Sequence, residues 1–220
     1  MNIGIINEAE HIKTVAVIVA HPDDETLWAG GMLLSYTSWD VFILSLCRGS
    51  DPDRAPKFLR ALAHFNADGA MGDLDDATAQ QALTEGEVED TILTLLPAKA
   101  YDLIITHNPN GEYTRHLRHE EVSQAVINLW YVGKIKTKEL WTFAYEDGGK
   151  KYLPQPRLNA TAYFKLPRKT WESKNWIINT IYGFSTDSWE AQTTPKAEAF
   201  WKFNRPERAK DWLIQGGREK

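Results

Sequence analysis

The chain has 220 residues and a mass of 25.1 kDa, with 43% hydrophobic and 25% charged residues, a composition typical of a folded globular protein rather than a disordered one. The formal net charge of −5 argues against a general nucleic-acid or membrane-surface binder, and the single cysteine, Cys47, excludes an internal disulfide and a zinc site made of cysteines alone. No signal peptide is recognisable, and no window approaches the ~20 apolar residues of a membrane span, so we expect a soluble, cytoplasmic protein.

The first two thirds of the chain alternate between strand-like and helix-like patterns. Apolar runs that suit buried strands occur at 14–20, 41–47, 102–107 and 139–145, with a short further strand near 70–74. Apolar residues with helical spacing occur at 58–65, 88–96 and 122–129. This alternation predicts a doubly wound, mostly parallel α/β sheet of the Rossmann-like kind, with helices on both faces.

The pattern changes after Gly149. The remaining sequence predicts a strand at 160–166, a helix at 171–182, a turn-rich stretch at 183–195 and helical spacing at 196–214. No linker-like composition precedes this part. We therefore expect a single domain, 1–220, in which an α/β core at 1–149 carries a C-terminal extension at 150–220 packed on the same domain.

A first cluster of polar residues, His21-Pro-Asp-Asp-Glu25, directly follows the first buried strand, where open α/β sheets bind their ligands. A histidine and a carboxylate three residues apart can hold one cation, and a second carboxylate beside them can hold a water next to it. Acidic residues at a helix start also complement the helix dipole. That alternative explains the three carboxylates without any chemistry, but it does not explain His21.

A second cluster, at 107–119, follows another buried strand, and within it His116 and His119 share a helix face if this segment is helical. Such pairs are often only surface features. In the doubly wound topology, however, strands 1 and 4 are neighbours, so the loops after them face each other across one crevice. Two histidines and one carboxylate with an open position for water make a catalytic zinc set.

The run Ala20–Glu25, AHPDDE, resembles the signature of the LmbE-like (PIG-L) family of zinc-dependent N-deacetylases, and the second cluster resembles that family's His-x-x-His segment. The resemblance extends from Val15 to about Val122, roughly half of the chain. It implies an N-acetylglucosaminyl deacetylase that binds one Zn²⁺ per chain. The roles that it implies are zinc ligation by His21, Asp24 and His119, general base catalysis by Asp23, and oxyanion stabilisation or proton donation by His116.

The sequence departs from the family pattern in three places. Arg118 stands where the family often has an aspartate, so a carboxylate behind the histidines is either missing or supplied elsewhere. Tyr113 lies three residues before His116, whereas the family often places a tyrosine two residues before this histidine. Arg54 is a candidate for substrate binding, but Lys57 replaces a family glutamate in the same segment.

Several other residues are weaker candidates. Three tryptophans, Trp28, Trp189 and Trp201, could stack on a sugar ring. Large aromatic residues are, however, more often part of the core. We interpret Asp73, Asp75 and Asp76 as a solvated acidic loop. His107 lies at the mouth of the crevice and is a candidate to support the ligands from behind. The Gly30–Gly31 pair predicts close packing of a helix on the sheet rather than phosphate binding.

These features predict a metal-dependent hydrolase that removes an N-acyl group, expected to be acetyl, from an amino sugar such as an N-acetylglucosamine conjugate. The expected partner is this small-molecule glycoconjugate, with no nucleic acid and no membrane, and homo-oligomer formation stays open. One alternative is a catalytically silent sugar- or nucleotide-binding module on the same scaffold. The other is a metal phosphoesterase, which would need further carboxylates to hold two metals about 3.5–4 Å apart.

Overall fold

The computed structural model describes residues 12–77 and 81–217. The core elements in chain order are β1 (Thr14–Val19), α1 (Asp24–Ser35), β2 (Asp40–Cys47), α2 (Arg54–Phe65), β3 (Asp68–Leu74), α3 (Glu85–Leu95), β4 (Ala100–Thr106), α4 (Leu117–Tyr131) and β5 (Lys136–Phe143). The later elements are β6 (Tyr145–Glu146), β7 (Gln155–Pro156), β8 (Ala162–Lys165), α5 (Arg168–Trp176), a π-helical turn (Ile177–Ile181), α6 (Trp189–Thr193), β9 (Ala197–Phe203) and α7 (Pro206–Ile214).

Seven of the strands form one sheet in the order β3-β2-β1-β4-β5-β9-β8. The first five strands are parallel, while β9 runs antiparallel to β5 and β8 antiparallel to β9. The prediction of a doubly wound, mostly parallel sheet is confirmed. Because β1 pairs with β4, the loops that leave their carboxyl ends diverge at this point and leave a crevice between them.

The two faces of the sheet carry separate parts of the core, which explains why β1 is apolar at every position from Val15 to Val19. Val15, Val17 and Val19 pack with residues of α1, α2 and the π-helical turn. Ala16 and Ile18 pack on the opposite face with residues of α3 and α4. Successive side chains of a strand point to opposite faces, so a central strand covered by helices on both sides must be apolar throughout.

The extension after Gly149 contributes β8 and β9 to the same sheet. It is tied to α1 by Glu198, which accepts hydrogen bonds from the backbone N–H groups of Gly31 at 2.7 Å and Met32 at 2.8 Å, and from Lys174 Nζ at 2.7 Å. A Cβ on Gly31 would lie 2.4 Å from the end of the Leu166 side chain, so a larger residue here would require that side chain to shift. We propose that the core and the extension form one domain.

The extension differs from its sequence prediction in two elements. The stretch at 183–195, predicted to be turn-rich, contains the short helix α6. Helical spacing is predicted over 196–214, but the structure has strand β9 followed by helix α7. β9 lies between β5 and β8, and its first five residues are buried, so its sequence resembles that of a buried helix.

Within the described residues, no helix combines the length and the apolar character needed to cross a bilayer.

Candidate active site

The crevice between β1 and β4 collects the polar residues singled out in the sequence. The loop after β1 supplies His21 and Asp23, and α1 begins at Asp24. The loop after β4 runs to His116, the N-cap of α4, and His119 lies in the first turn of that helix. Strand pairing between β1 and β4 is therefore what brings the two sequence clusters together.

Three donor atoms form a nearly equilateral triangle in this crevice. Nδ1 of His21 lies 3.1 Å from Oδ2 of Asp24 and 3.3 Å from Nε2 of His119, and the same two atoms of His119 and Asp24 are 3.4 Å apart. Ligand atoms bound tetrahedrally to zinc at 2.0–2.2 Å are separated by about 3.4 Å. The triangle thus has the size of one face of a tetrahedral zinc site.

In both His21 and His119, the outer nitrogen, which faces away from the triangle, is hydrogen-bonded to a carboxylate. Nδ1 of His119 lies 2.6 Å from Glu112 Oε2, and Nε2 of His21 lies 3.0 Å from Asp76 Oδ1. An ionised carboxylate only accepts hydrogen bonds, so each ring donates a proton from its outer nitrogen, and its inner nitrogen offers a lone pair to a cation once that nitrogen is deprotonated. Two imidazole lone pairs and a carboxylate oxygen that face one point are a donor set suited to a divalent cation.

The carboxylate of Asp24 is held so that one oxygen faces the triangle. Its other oxygen, Oδ1, accepts a hydrogen bond from Trp28 Nε1 at 3.0 Å. Burial opposes ionisation of this carboxyl, but the neighbouring His119 and His107 lower the pKa of Asp24 well below its usual range. Asp24 therefore carries a negative charge in a fixed orientation.

His107 is fully buried and supports the site from behind. Its ring stacks on that of His119 with 3.9 Å between ring centroids, and its Nδ1 lies 2.9 Å from Glu112 Oε2. Its Nε2 accepts a hydrogen bond from the backbone N–H of Ala20 at 2.9 Å. The contacts at its two nitrogens fix the orientation of the His107 ring behind the triangle.

Two carboxylates that contact the histidines, Glu112 and Asp76, are not predicted from the sequence. Glu112 lies in the loop before α4 and binds both His107 and His119, so it supplies the carboxylate that is absent at Arg118. The interpretation of a solvated acidic loop after β3 is wrong for Asp76. Asp76 bonds to His21, and Arg48 Nε donates to its other oxygen at 2.8 Å.

Asp23 occupies an unusual backbone conformation beside the triangle. Its φ is +136°, a region that favours glycine, and its side chain is 13% exposed. The backbone N–H of Asp23 donates to Glu25 Oε2 at 3.0 Å, and the Tyr182 hydroxyl donates to Glu25 Oε1 at 2.7 Å. Glu25 therefore holds this loop in place rather than serving only the dipole of α1.

The electrostatic surroundings of Asp23 differ from those of Asp24. Burial and the negative charge of Asp24 raise the pKa of Asp23 well above its usual value, while the guanidinium of Arg54 opposes this rise. Nη1 of Arg54 lies 3.6 Å from Asp23 Oδ2, and the guanidinium lies 4.6 Å from the centroid of the Phe184 ring. Two adjacent aspartates thus have pKa values displaced in opposite directions.

His116 lies against the triangle without being one of its three corners. Its ring centroid is 4.6 Å from that of His21 and 4.5 Å from that of His119. Burial and the charges of His119 and His21 lower the pKa of His116 to about 3. Its imidazole is therefore neutral at neutral pH.

A cavity of about 170 Å³ opens directly over these groups. Residues that line it include Asp23, Arg54, Tyr113, His116 and Trp189. The other two tryptophans considered for sugar stacking lie elsewhere: Trp28 is buried beneath the site, and Trp201 packs against Trp212.

Comparison with known proteins identifies the family. The sequence profile of the PIG-L family, described as GlcNAc-PI de-N-acetylase, matches residues 16–130. The chain belongs to the PIG-L family. The match spans both histidine clusters and confirms the resemblance seen in the sequence. It ends before the extension, so the part of the cavity wall formed by Trp189 lies outside the family match.

Solved structures share the PIG-L fold with this chain. N,N'-diacetylchitobiose deacetylase from Pyrococcus horikoshii aligns with a TM-score of 0.67 and 13% identity over 91% of this chain and 87% of its own. The zinc inhibited form of teicoplanin deacetylase Orf2 aligns with a TM-score of 0.62 and 15% identity over 86% of this chain and 97% of its own. GalB, the 4-carboxy-2-hydroxymuconate hydratase from Pseudomonas putida KT2440, aligns with a TM-score of 0.60 and 14% identity over 88% and 98% of the two chains.

These similarities establish the fold and leave the reaction to the site, because the neighbours include deacetylases and a hydratase. A curated relative, uncharacterized protein L374 of Acanthamoeba polyphaga mimivirus, is 24% identical over 145 residues, or 60% of this chain. That match covers 61% of the viral protein, so the chain spans about three fifths of its relative's length.

Proposed function

We propose that this protein is a metal-dependent N-deacetylase that hydrolyses the acetamide of an N-acetylated amino sugar or glycoconjugate. The observation that carries the proposal is the triangle of His21, Asp24 and His119, with donor atoms 3.1–3.4 Å apart, beside Asp23. Membership of the PIG-L family supports the same reaction class. We assign one Zn²⁺ per chain to the triangle because of its size and its mixed nitrogen and oxygen donors.

The metal and Asp23 have complementary roles in this proposal. Bound by His21, Asp24 and His119, Zn²⁺ supplies Lewis acidity that polarises an amide carbonyl and makes water more acidic. Asp23 accepts a proton from the attacking water as the water oxygen bonds to the carbonyl carbon. Its raised pKa brings the carboxyl closer to the working pH, which suits a group that must take up a proton and then release it.

His116 acts on the oxygen that becomes negative when water adds to the carbonyl. A neutral imidazole retains one N–H, and we assign this N–H of His116 to the developing oxyanion. Asp23 then passes its proton to the amide nitrogen as the carbon–nitrogen bond breaks. The products are acetic acid and a free amine, and Asp23 is ionised again; at neutral pH the acid then loses its proton to solvent or to the amine and becomes acetate.

The cavity suggests how the substrate lies. Its volume of about 170 Å³ suits an acetamido group, while the rest of a sugar must extend past Trp189 and Arg54 toward solvent. Trp189 is 38% exposed and offers an aromatic face to one side of a pyranose ring. The names of the structural neighbours, diacetylchitobiose deacetylase and teicoplanin deacetylase, support a sugar-linked amide as the substrate class.

The proposal is tested by assaying hydrolysis with the metal-free protein and with the same protein reloaded with zinc. The substrates are N-acetylglucosamine, diacetylchitobiose and a phosphate monoester, and acetate, free amine and phosphate are measured. We expect zinc-dependent release of equal amounts of acetate and amine, and no phosphate. Binding of N-acetyl sugars without turnover would support the silent module, and phosphate release with two metals per chain would support the phosphoesterase.

A further arm of the assay separates hydrolysis from hydration, because a hydratase shares this fold. The zinc-loaded protein is incubated with an unsaturated dicarboxylate, and loss of ultraviolet absorbance reports addition of water to the carbon–carbon double bond. We expect no loss. Hydration of this compound without any release of amine from N-acetyl sugars would overturn the proposed function.

A further inference from the structure

Arg118 is a wholly buried arginine in the first turn of α4, between His116 and His119 in sequence. It points away from the metal triangle toward the segment that follows β3. Its Nε donates to the backbone carbonyl of Asp75, and its Nη2 donates to the carbonyl of Gln81 at 2.8 Å. The guanidinium therefore binds two separate points of the chain after β3.

The buried charge of Arg118 is compensated by acidic neighbours. Nη1 forms an ion pair with Glu121 one turn along α4, and Nη2 lies 3.6 Å from Asp75 Oδ2. Glu121 also accepts a hydrogen bond from the Leu83 backbone N–H at 2.9 Å. A buried arginine is costly unless it is paired and hydrogen-bonded in this way, so the contacts form one cooperating unit.

The residue that follows Asp75 in the chain contacts a histidine of the triangle. Asp76, next to the Asp75 carbonyl that Arg118 binds, has its Oδ1 3.0 Å from Nε2 of His21. His119 receives its carboxylate, Glu112, from the loop that precedes its own helix. His21 instead depends on a carboxylate from the segment after β3, which Arg48 holds at the Asp76 side chain and Arg118 holds at the backbone of Asp75.

We propose that Arg118 is a positioning residue that fixes the segment after β3 to α4, so that Asp76 orients His21 for metal binding. This inference rests on the metal site in the proposed function but not on the reaction assigned to it. It explains why an arginine is accommodated beside the two histidines. A carboxylate on a ligating histidine typically contributes about 10–100-fold in metal affinity, and Arg118 maintains that contribution indirectly.

The test compares zinc affinities of purified variants, measured by competition with a chromophoric chelator. We expect Asp76→Asn and Arg118→Met each to weaken zinc binding about 10–100-fold. The double variant should bind zinc no more weakly than the weaker-binding single variant, because both changes remove the same support from His21. Arg115→Met is the matched control: this arginine is 71% exposed and pairs with Glu120, and its loss should leave zinc affinity unchanged.

The tautomer of His21 distinguishes the positioning role of Arg118 from a general contribution to folding. The tautomer of His21 is read from the nitrogen chemical shifts of the metal-free protein, in which the bond to Asp76 favours a proton on Nε2. We expect Arg118→Met to reduce this tautomer, as Asp76→Asn does. If Arg118→Met does not fold, Arg118→Lys, which keeps the charge but cannot bind both carbonyls, is compared by the same measurements.

Different results would overturn the positioning role of Arg118 and the metal site itself. A folded Arg118 variant with wild-type zinc affinity and an unchanged His21 tautomer would overturn the positioning role, and so would additive losses in the double variant. A wild-type protein that takes up no zinc would instead overturn the metal site itself.

Discussion

Glu112 Oε2 lies 2.6 Å from Nδ1 of His119, and the same oxygen lies 2.9 Å from Nδ1 of His107. One buried carboxylate oxygen thus accepts hydrogen bonds from two stacked imidazoles. Burial opposes the charge of Glu112, but the two histidines lower its pKa to about 2, so it is ionised at neutral pH. Its charge fixes the tautomer through which His119 faces the metal triangle.

Glu112→Gln should therefore weaken zinc binding. The amide oxygen accepts hydrogen bonds less strongly than a carboxylate, and the amide nitrogen cannot accept from either ring. We expect zinc affinity to fall about 10–100-fold and the melting temperature of the metal-free protein to fall as well. Glu120→Gln, on α4 and paired with Arg115, is the control, and equal zinc affinities for the two variants would contradict this role of Glu112.

The backbone strain at Asp23 predicts an unusual stability ranking. At φ +136°, glycine adopts the conformation without penalty, whereas a side chain costs about 1–3 kcal/mol. Asp23→Gly should thus be more stable to urea than Asp23→Ala by about this amount, and both should be inactive. At Asp90, exposed in α3, the ranking of the same two substitutions should be reversed, since glycine weakens a helix by about 1 kcal/mol.

The pH dependence of the reaction should follow the environment of Asp23. Asp23 must be ionised to accept a proton, so kcat/KM falls as the pH drops through its pKa, which is raised above the usual aspartate value. Arg54 lowers this pKa, because its positive charge favours the ionised carboxylate.

Arg54→Met should consequently shift the acidic limb of the pH–rate profile to higher pH. The control is Lys57→Met on the same helix, since Lys57 pairs with Asp53 at 2.6 Å and does not line the cavity. If the acidic limb stays in place in Arg54→Met, the limb does not report the ionisation of Asp23.

Trp189 should contribute to sugar binding and little to the chemical step. Its ring packs 4.9 Å from that of Tyr113, centroid to centroid, and lines the cavity over Asp23. Trp189→Ala should raise KM for an N-acetylglucosamine substrate about tenfold with kcat nearly unchanged, since aromatic contacts of this kind are worth about 0.5–1.5 kcal/mol. Trp176→Ala, which removes an exposed tryptophan of α5 outside this cavity, should leave KM unchanged, and a fall in kcat alone for Trp189→Ala would contradict the assignment.

The sequence predicts the α/β core well because its signals are local. The central strand β1 is apolar at every position from Val15 to Val19, and its neighbours contain similar apolar runs between helices. β9 escapes detection because periodicity alone does not distinguish a short buried strand from a buried segment of helix. Its identity depends on β5 and β8 lying on either side of it.

The site is predictable as far as its ligands follow strands directly. His21 is recognisable because it closely follows β1, and His119 because it lies in the first turn of the helix that follows the neighbouring strand β4. Their carboxylate partners are not, since Asp76 reaches His21 from 55 residues away and looks like any exposed acid in the sequence. The role of Arg118 likewise appears only once the segment after β3 is placed against α4.

In the proposed mechanism two adjacent aspartates have different functions: Asp24 is a metal ligand and Asp23 is the general base. The decisive measurement is the zinc content and kcat of Asp24→Ala and Asp23→Asn, prepared in parallel with the wild type. Asp24→Ala should lose zinc and activity together. Asp23→Asn should keep its fold and one zinc per chain while kcat falls by about 10²–10⁴, and turnover at nearly the wild-type rate would show that Asp23 is not the base.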